Sequence, residues 1–352
     1  MTIIGAMEYK PIKFGKINDL KEFGEKNALV KIDLLDLLDT QIKDLIKVKY
    51  PSHTDAQLTD ELVRWENTIS ADYGSIFYYP WQNKAVKILE EDDFICLRTS
   101  RNKYKITADE QSTLMQKHIV VLGMSVGKAV AQICALERIC GKITLVDFDD
   151  LDSSNLNRIM TPLFNVGLPK AVITAREISE IDPYLEIAIE LKGITSENMT
   201  QVIGNNMQTN LVIEVCDSLE MKVKTRMHCL KEKIPVIMDT SDRGMIDVER
   251  YDKNISQIFH GLLKNINFKG FDFNNKEKKM ELLISIIDLE KVSERGKQSL
   301  FEIGKTLRTW PQLASDVFIG AAATASVARR ILLEHNVNSK RYYFDLEKTL
   351  NS

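Results

Sequence analysis

The chain has 352 residues, of which 44% are hydrophobic and 28% are charged, and its formal net charge is −3. A chain of this length and composition can bury one large core or two smaller ones and is typical of a soluble globular protein. The nearly balanced charge excludes a strong global attraction to nucleic acid or to an anionic membrane, so we expect neither as a partner.

The N-terminal block, residues 1–97, is predicted to be a mainly helical region. Apolar residues recur at spacings of three and four across residues 27–70, and Thr54 is placed to begin the second of two helices. Residues 71–95 mix aromatic and polar side chains without a clear period. The start of the chain lacks the long apolar core of a signal peptide, so we expect a cytoplasmic location.

The central block, residues 98–255, alternates short apolar runs with helical patterns. This alternation predicts a Rossmann-like α/β fold with a mostly parallel, doubly wound sheet covered by helices on both faces. The predicted strands are 119–122, 143–147, 186–190, 211–215 and 235–239, and the predicted helices are 127–138, 169–181, 197–205 and 219–232.

The last block, residues 256–352, is predicted to be a helical region packed on the central domain. The strand–helix alternation weakens after Asp239, where residues 245–250 predict a further strand and an antiparallel extension of the sheet. The predicted helices of this block are 276–288, 297–308 and 313–334, and residues 264–276 are predicted to form a polar loop. The apolar stretch within the last helix is too short to cross a bilayer.

A glycine turn made of Gly123, Ser125 and Gly127 lies between the first central strand and its helix. Backbone N–H groups of such a turn, together with the helix N-terminus, can bind phosphate. The turn does not match G-x-G-x-x-G. If Gly123 is taken as the first glycine, Lys128 stands at the third position, and if Gly127 is taken as the third, Leu122 and Met124 stand at the first and second. A purely structural turn explains these glycines about as well as a ligand does.

Two acids follow the second central strand. Asp147 ends the strand twenty residues after Gly127, and Asp149 follows closely. An acid at this place commonly accepts hydrogen bonds from the ribose hydroxyls of a nucleotide. The alternative is a helix cap or a loop contact.

Three more charged residues lie near predicted strand ends or helix starts. Arg158 offers a planar fork of N–H donors to phosphate oxygens, and Lys170 offers a compact positive charge. Asp217 ends the apolar segment LVIEVCD at 211–217, and a carboxylate there faces a polyphosphate favourably only if Mg²⁺ lies between them. Singly, each has a structural alternative, as a solvated helix residue or as a helix cap. Together they indicate a triphosphate site.

Four segments resemble the ThiF/MoeB family of adenylyltransferases, which are related to ubiquitin-activating enzymes. They are SNLNR at 154–158, the preceding LVDFDDLD, Pro169-Lys170 and Cys216-Asp217. The resemblance covers residues 98–250, with a looser tail to about 335, and makes 98–255 a ThiF-like nucleotide-binding adenylation domain. It implies that Asp147 contacts the ribose, that Asn155, Arg158 and Lys170 hold the ATP phosphates, and that Asp217 binds Mg²⁺.

The same resemblance implies a homodimer. Members of the family usually form two-fold dimers, in which an arginine of a Ser-Arg-Gln segment reaches the phosphates bound by the neighbouring subunit. Here the segment is Ser100-Arg101-Asn102, so Arg101 is the candidate, with Asn102 in place of the glutamine.

The chain departs from the family pattern in several places. The glycine turn is altered, and Ile159 stands where many members have glutamine. The Cys-x-x-Cys zinc motifs of many members are absent from the sequence. No cysteine is placed to form a thioester, because Cys216 is predicted at a strand end and Cys229 in a helix, both as buried structural residues.

The resemblance implies that the protein uses ATP and Mg²⁺ to activate a carboxylate as an acyl-adenylate, with release of pyrophosphate. By analogy with the family, the carboxylate belongs to the C-terminus of a ubiquitin-like or small carrier protein or of a peptide, with a modified tRNA carboxylate as a variant. Arg243, next to Gly244, is a candidate for the acyl side of the site. It is equally well explained as an arginine that stabilises a turn.

Two alternatives remain open from the sequence. The altered glycine turn favours a non-catalytic ATP-binding or partner module of the same fold. An NAD-dependent dehydrogenase has Asp147 as its only support and leaves Arg158, Lys170 and Asp217 unexplained.

Overall fold

The computed structural model describes residues 7–29, 31–70, 72–253, 255–287 and 290–350. The chain divides into two compact units. The first consists of Met1–Asp109 and Ser179–Tyr184, and the second consists of Glu110–Ile178 and Leu185–Ser352. The first unit is therefore discontinuous in sequence. The domain boundaries predicted at 97/98 and 255/256 stay predictions.

The first unit contains a four-stranded sheet with helices. Its strands are β1 (Ile12–Phe14), β2 (Asp33–Asp36), β3 (Ser75–Tyr79) and β4 (Lys84–Ile88), and its helices are α1 (Ile17–Lys26), α2 (Leu38–Lys49), α3 (Asp55–Thr68) and α4 (Glu91–Arg98). The strand order is β1-β3-β4-β2. Strand β3 pairs antiparallel with β1 and β4, whereas β2 pairs parallel with β4.

The structure corrects the helical prediction for residues 27–70 in one place. Leu34 and Leu35 lie in strand β2, where Leu34 pairs with Ala85 of β4. The tertiary pairing of this short segment overrides its local spacing, as is common for short apolar runs. The start of α3 agrees with the prediction, because Thr54 accepts a hydrogen bond from the Gln57 N–H group in a capping box.

The sheet of the first unit was not predicted. Strand β3 is buried at all five positions, so its sequence, SIFYY, lacks the alternation that marks a half-buried strand. The unit also includes the later segment Ser179–Tyr184. Asp182 in that segment is fully buried and lies 3.2 Å from the Arg98 guanidinium, and the Tyr184 hydroxyl donates to the Leu89 carbonyl oxygen at 2.7 Å.

The second unit is built on a seven-stranded sheet. Its strands are β5 (His118–Leu122), β6 (Lys142–Val146), β7 (Glu186–Glu190), β8 (Leu211–Glu214), β9 (Val236–Asp239), β10 (Met245–Glu249) and β11 (Lys340–Tyr343). The strand order is β11-β10-β9-β8-β5-β6-β7. Strands β5 to β9 pair parallel, and β10 and β11 are antiparallel additions. This confirms the predicted mostly parallel sheet and its antiparallel extension. Strand β11 was not predicted.

The helices of the second unit follow the predicted alternation in the central block. They are α6 (Gly127–Glu137), α7 (Lys170–Ile181, whose last residues belong to the first unit), α8 (Met199–Val202), α9 (Leu219–Glu232), α10 (Lys276–Ile286), α11 (Glu294–Glu302), α12 (Ala314–Leu332) and α13 (Leu346–Leu350); helix α5 (Ala108–Leu114) runs from the first unit into the second. Helix α12 packs on α6 and β9 with a face of small buried residues. Among the described helices, none has the length and apolarity needed to cross a bilayer.

The central strands are apolar and closed to solvent on both sides. In β5, residues 119–122 are fully buried, as expected where helices cover both faces of a parallel sheet. Strand β5 lies between β6 and β8, so the chain leaves it in one direction for β6 and returns on its other side for β8. A reversal of this kind opens a crevice at the carboxyl ends of the strands, where ligands bind in open α/β sheets.

A buried charge cluster lies beside the end of β8, and we define it as Glu214, Lys222, Arg226 and Glu249. The Arg226 guanidinium, which has no solvent exposure, donates to Glu214 at 2.7 Å and to Glu249 at 2.5 Å, and Lys222 Nζ lies 3.0 Å from Glu214. Burial by itself would raise the pKa of Glu214, but Lys222 and Arg226 lower it to about 2. Glu214 also accepts the Cys216 N–H group at 3.0 Å, so the cluster fixes the backbone next to Asp217.

Candidate nucleotide-binding site

The glycine turn packs tightly against the end of β8. Gly123 has a φ of 93°, and a Cβ at this position would lie 2.8 Å from the Val215 carbonyl oxygen. A Cβ at Gly127 would lie 2.8 Å from Val121 Cγ1. Close packing therefore requires both glycines whether or not a phosphate binds, and their contact with phosphate stays a prediction.

Asp147 joins the glycine turn to the end of β6. Its carboxylate accepts the Met124 N–H group at 2.5 Å and the Asp149 N–H group at 2.7 Å. Burial raises the pKa of Asp147, while these two backbone donors and the charge of Lys170 act in the opposite direction. Each carboxylate oxygen has a second lone pair, so the group can hold the turn and still accept a ribose hydroxyl.

Lys170 is held at the start of α7 by Asp149. The Lys170 Nζ atom lies 3.0 Å from Asp149 Oδ2, and the Lys170 N–H group donates to the Asp149 carbonyl oxygen at 3.0 Å. Lys170 is buried, whereas the Asp149 side chain is 51% exposed. An ammonium group has three donors, so Lys170 can keep this ion pair and bind a phosphate oxygen.

Asn155 lies buried in the 3-10 helix Ser153–Asn157. Its side-chain oxygen accepts the Asp152 N–H group at 3.2 Å, and Asp152 in turn accepts the Ser154 N–H group at 2.7 Å. This capping arrangement fixes the loop that precedes Arg158.

Arg158 connects the glycine turn with the end of β8. Its Nε atom donates to Ser125 Oγ at 3.1 Å, and its Nη1 atom donates to Asn157 Oδ1 at 2.9 Å. Burial lowers the pKa of Arg158, and the negative charge of Asp217 opposes that shift. Arg158 and Asp217 are therefore within electrostatic reach of each other, although they are far apart in sequence.

Asp217 is exposed immediately beyond β8. Within the described part of the chain, His, Cys, Asp and Glu side chains form no group of three or more that could hold a metal. Mg²⁺ is commonly held by one or two carboxylates together with water and substrate phosphates, so an exposed Asp217 facing the crevice fits such an ion.

The structure thus brings together most of the residues predicted to form the site. The ends of β5, β6 and β8 meet in the crevice and carry the glycine turn, Asp147 and Asp217. Arg101 is exposed in the 3-10 helix Ser100–Asn102, which belongs to the first unit. Its contact with a neighbouring subunit's phosphates stays a prediction.

A cleft of about 1140 Å³ opens beyond the next strand. Its lining includes Ser241–Gly244, which follow β9, and the segment from Trp310 to Ile319. Because β9 is parallel to β8, this cleft opens at the same sheet edge as Asp217. Asn157 Nδ2 donates to the Gln312 carbonyl oxygen at 2.8 Å, which joins the loop before Arg158 to the cleft wall.

Arg243 lines the cleft but is held in place by the protein. Its Nε atom donates to Asp345 Oδ2 at 2.5 Å, and its Nη1 atom donates to the Lys291 carbonyl oxygen at 2.9 Å. Ser241 and Arg243 both have positive φ values, 54° and 51°, so the backbone of the loop after β9 is strained. The neighbouring glycine is a sequence signal for Arg243, but no sequence pattern indicates the cleft.

The cysteines at the site are poor nucleophiles. The Cys216 thiol donates to Glu214 Oε1 at 3.1 Å, and burial and the charge of Glu214 raise its pKa. Cys229 is fully buried, and burial raises its pKa as well. Because the thiolate is the reactive form, neither residue is suited to form a thioester. Cys216 itself is only partly buried, in contrast to the prediction.

The chain belongs to the ThiF family, whose profile matches residues 99–346. It is 39% identical over 298 residues to an uncharacterized protein, MT1398, of Mycobacterium tuberculosis, covering 84% of this chain and 40% of the relative. It is 31% identical over 154 residues to the tRNA threonylcarbamoyladenosine dehydratase of Bacillus subtilis, covering 43% of this chain and 59% of the relative. It is 25% identical over 150 residues to the molybdopterin-synthase adenylyltransferase of Haemophilus influenzae, covering 42% of this chain and 60% of the relative.

The chain therefore spans 40% to 60% of the length of these curated relatives. Among solved structures, it is similar to the E. coli tRNA N6-threonylcarbamoyladenosine dehydratase in complex with ATP. That likeness has a TM-score of 0.50 and 20% identity and covers 69% of this chain and 96% of the other. At this level of sequence identity, the likeness shows the fold alone. The family and the fold class predicted from the sequence are confirmed.

Proposed function

We propose that the protein is an ATP-dependent adenylyltransferase that activates a carboxylate as an acyl-adenylate. The observation that carries the proposal is the meeting of Arg158, Lys170 and Asp217 around a nucleotide turn at one edge of the sheet. Two cations and one exposed carboxylate match the charge of a magnesium triphosphate. A dehydrogenase needs no such group, and Asp147 remains its only support.

In the proposed reaction, a substrate carboxylate oxygen attacks the α-phosphorus of ATP. A new P–O bond forms, the α–β bridging P–O bond breaks, and pyrophosphate leaves with the bonding electron pair. The carboxylate is already ionised near pH 7, so no general base is required. Lys170 and Arg158 stabilise the charge on the triphosphate, and their fixed positions remove the cost of reorganising solvent. Mg²⁺, held by Asp217, would supply further charge neutralisation.

We propose that the carboxylate is the C-terminus of a small carrier protein or peptide. The cleft after β9 has the size of a site for several residues of extended chain, and it opens at the sheet edge where the α-phosphate would lie. A relative named molybdopterin-synthase adenylyltransferase supports this class of chemistry.

A carboxylate carried by a modified tRNA is the second candidate. It is favoured by relatives named tRNA threonylcarbamoyladenosine dehydratase, including one from E. coli that is 34% identical over 132 residues. The net charge of −3 speaks against a broad phosphate-binding surface.

ATP–pyrophosphate exchange tests the proposal and separates the two substrates. We expect exchange with a set of peptides that end in a free carboxylate and none with the same peptides amidated. Exchange with total tRNA alone would favour the second candidate. If neither the peptides nor tRNA support exchange and ATP binding survives Lys170→Ala, adenylation is contradicted. If there is no exchange but ATP binding depends on Lys170, the non-catalytic module is favoured.

We also propose a homodimer in which Arg101 completes the partner subunit's site. Its support is the position of the Ser-Arg-Asn segment in a family member. An Arg101→Ala chain mixed with a Lys170→Ala chain should recover exchange, because one site of the mixed dimer is intact. The absence of recovery would show that Arg101 does not act across the dimer.

The five free cysteines support the proposed cytoplasmic location.

A further inference from the structure

Lys128, the residue that alters the glycine turn, does not direct its charge into the nucleotide crevice. It is the second residue of α6 and is only 2% exposed. Its Nζ atom donates to the Met160 carbonyl oxygen at 2.8 Å and forms an ion pair with Glu177. A buried ammonium group is costly unless it is paired, so these contacts fix where the side chain lies.

Glu177 connects Lys128 to the loop that follows Arg158. Its Oε2 atom accepts from Gln132 Nε2 at 2.7 Å, and its Oε1 atom accepts from Thr161 Oγ1 at 2.7 Å. Thr161 Oγ1 also accepts from Asn165 Nδ2 at 2.8 Å. We call Lys128, Gln132, Thr161, Asn165 and Glu177 the lysine brace. It joins helices α6 and α7 to the loop at 160–165.

That loop has little apolar packing of its own. Met160 is 66% exposed and Phe164 is 80% exposed, while Ile159 is its buried apolar anchor. Arg158 lies at its start, with Nε bonded to Ser125 in the glycine turn. Met160, whose carbonyl group accepts from Lys128, is therefore only two residues after Arg158 in the chain. A shift of the loop by about 1 Å would misplace the Arg158 fork, and misplacements of this size are costly in preorganised sites.

We propose that Lys128 is a positioning residue, which acts through Met160, Glu177 and Thr161 to hold Arg158 against the glycine turn for ATP binding. The inference rests on the proposed nucleotide site. This positioning role gives the altered turn a function, because the lysine at the third glycine position holds the loop that follows the proposed phosphate-binding arginine. The altered turn is then a modification of an active site, rather than a sign that the site has been lost.

A double-mutant cycle on ATP affinity tests the inference. The four proteins are the unaltered chain, Lys128→Met, Arg158→Ala and the double variant, titrated with ATP and Mg²⁺ by calorimetry. We expect Lys128→Met to weaken ATP binding roughly tenfold, a change of about 1.4 kcal/mol. In the Arg158→Ala background the same change should weaken binding by less than about twofold, since the group that Lys128 positions is gone. Equal effects of Lys128→Met in both backgrounds, or no effect in either, would overturn the inference.

Two further variants keep the test sharp. Thr161→Val removes the Thr161–Glu177 contact with little change of volume, so it replaces Lys128→Met in the cycle if that variant does not fold. Lys142→Met is the matched control, because Lys142 pairs with Glu186 at 2.7 Å on the exposed, opposite end of β6. The control should leave ATP affinity unchanged, and a loss equal to that of Lys128→Met would mean that the brace has only a general structural role.

The outcome separates this inference from the proposed function. Strong coupling between Lys128 and Arg158, together with no pyrophosphate exchange on any carboxylate, would support the positioning role of Lys128 and contradict adenylation. Pyrophosphate exchange that depends on Arg158 but not on Lys128 or Thr161 would support adenylation and contradict the positioning role of Lys128.

Discussion

The buried charge cluster and the nucleotide edge, by which we mean Arg158 and Asp217, lie near the end of β8 but satisfy their charges in different ways. In the cluster, Arg226 and Glu214 have no exposure, and the guanidinium pairs with both Glu214 and Glu249, although its Nη2 atom has no hydrogen-bond partner among the described residues. At the nucleotide edge, Asp217 is exposed and Arg158 is half-buried, with one side of the guanidinium bonded to the glycine turn. Charges that are buried in mutual ion pairs are closed to a ligand, whereas exposed or half-buried charges held by one partner can bind one.

This difference predicts opposite responses to substitution. Loss of a charge from the cluster should act on stability, because it leaves a buried partner uncompensated. Loss of a charge from the nucleotide edge should act on catalysis, because water can replace the missing side chain in the free protein.

The largest expected effect is that of Arg226→Ala on stability. Removing one partner of a buried ion pair typically costs about 3–5 kcal/mol, and here Glu214 and Glu249 would both lose their cation. Urea unfolding measures this change. Lys142→Ala, which breaks an exposed pair, should cost about 0–1 kcal/mol. Equal losses in the two variants would show that the cluster does not depend on mutual pairing.

The second expected effect is that of Arg158→Ala on the rate of pyrophosphate exchange. We expect a fall of roughly 10²–10³ in kcat, the usual result of removing a preorganised donor to developing charge. The free energy of unfolding should change by less than about 1.5 kcal/mol, since the variant loses only partly exposed hydrogen bonds. A variant that loses stability as strongly as Arg226→Ala would place Arg158 with the structural charges.

The third prediction concerns Asp239, a buried carboxyl that belongs to neither group. It is 4% exposed, its Oδ1 atom accepts the Ser241 N–H group at 2.8 Å, and its Oδ2 atom has no hydrogen-bond partner among the described residues. Burial raises its pKa from 3.8 to about 7. The unfolded chain therefore releases this proton first, and the stability that the protonated form provides at low pH is lost as the pH rises from about 4 to about 7.

Asp239→Asn should remove that pH dependence. Relative to the unaltered chain, we expect the variant to gain roughly 1–4 kcal/mol at pH 8, because it carries no carboxyl group that has to ionise while buried, and little at pH 4. Unfolding free energies at the two pH values measure the difference. A gain of the same size at both values would contradict the titration of Asp239 in the folded state.

The smallest expected effect is that of Cys216→Ala, at the junction of the two groups. The thiol donates to Glu214 of the cluster, and the next residue is Asp217 of the site. We expect a loss of less than about 1 kcal/mol in stability, since Glu214 keeps its cations and the Cys216 N–H group. The exchange rate should stay within about threefold, because positioning and charge carry the reaction. A larger fall would indicate that the thiol takes part in the reaction.

The sequence predicted the part of the fold that depends on long apolar runs and the part of the site that lies at strand ends. Residues 119–122 and 186–190 are strands in both prediction and structure, and the acids Asp147 and Asp217 follow strands β6 and β8. Strands β2 and β11 were missed because they are short, only partly buried and carry charged residues, so their pairing decides their structure.

The tertiary parts of the site could not be read from spacing. Lys128 was visible only as a departure from a glycine pattern, since its partners Met160 and Glu177 lie in other elements. The cleft is assembled from four separate stretches between Ser241 and Leu350. No local pattern in any one of these stretches indicates that they share a cavity.

The sequence discontinuity of the first unit has a consequence for the order in which the chain folds during synthesis. Arg98 and Leu89 are made roughly ninety residues before their partners Asp182 and Tyr184. The first unit therefore cannot complete its core on the ribosome until helix α7 has emerged. A fragment that ends at Asp109 should remain partly folded, and addition of a peptide spanning Ser179–Tyr184 should increase its protection from proteolysis. The folding of the first unit thus depends on a short segment that is inserted in the sequence of the second unit.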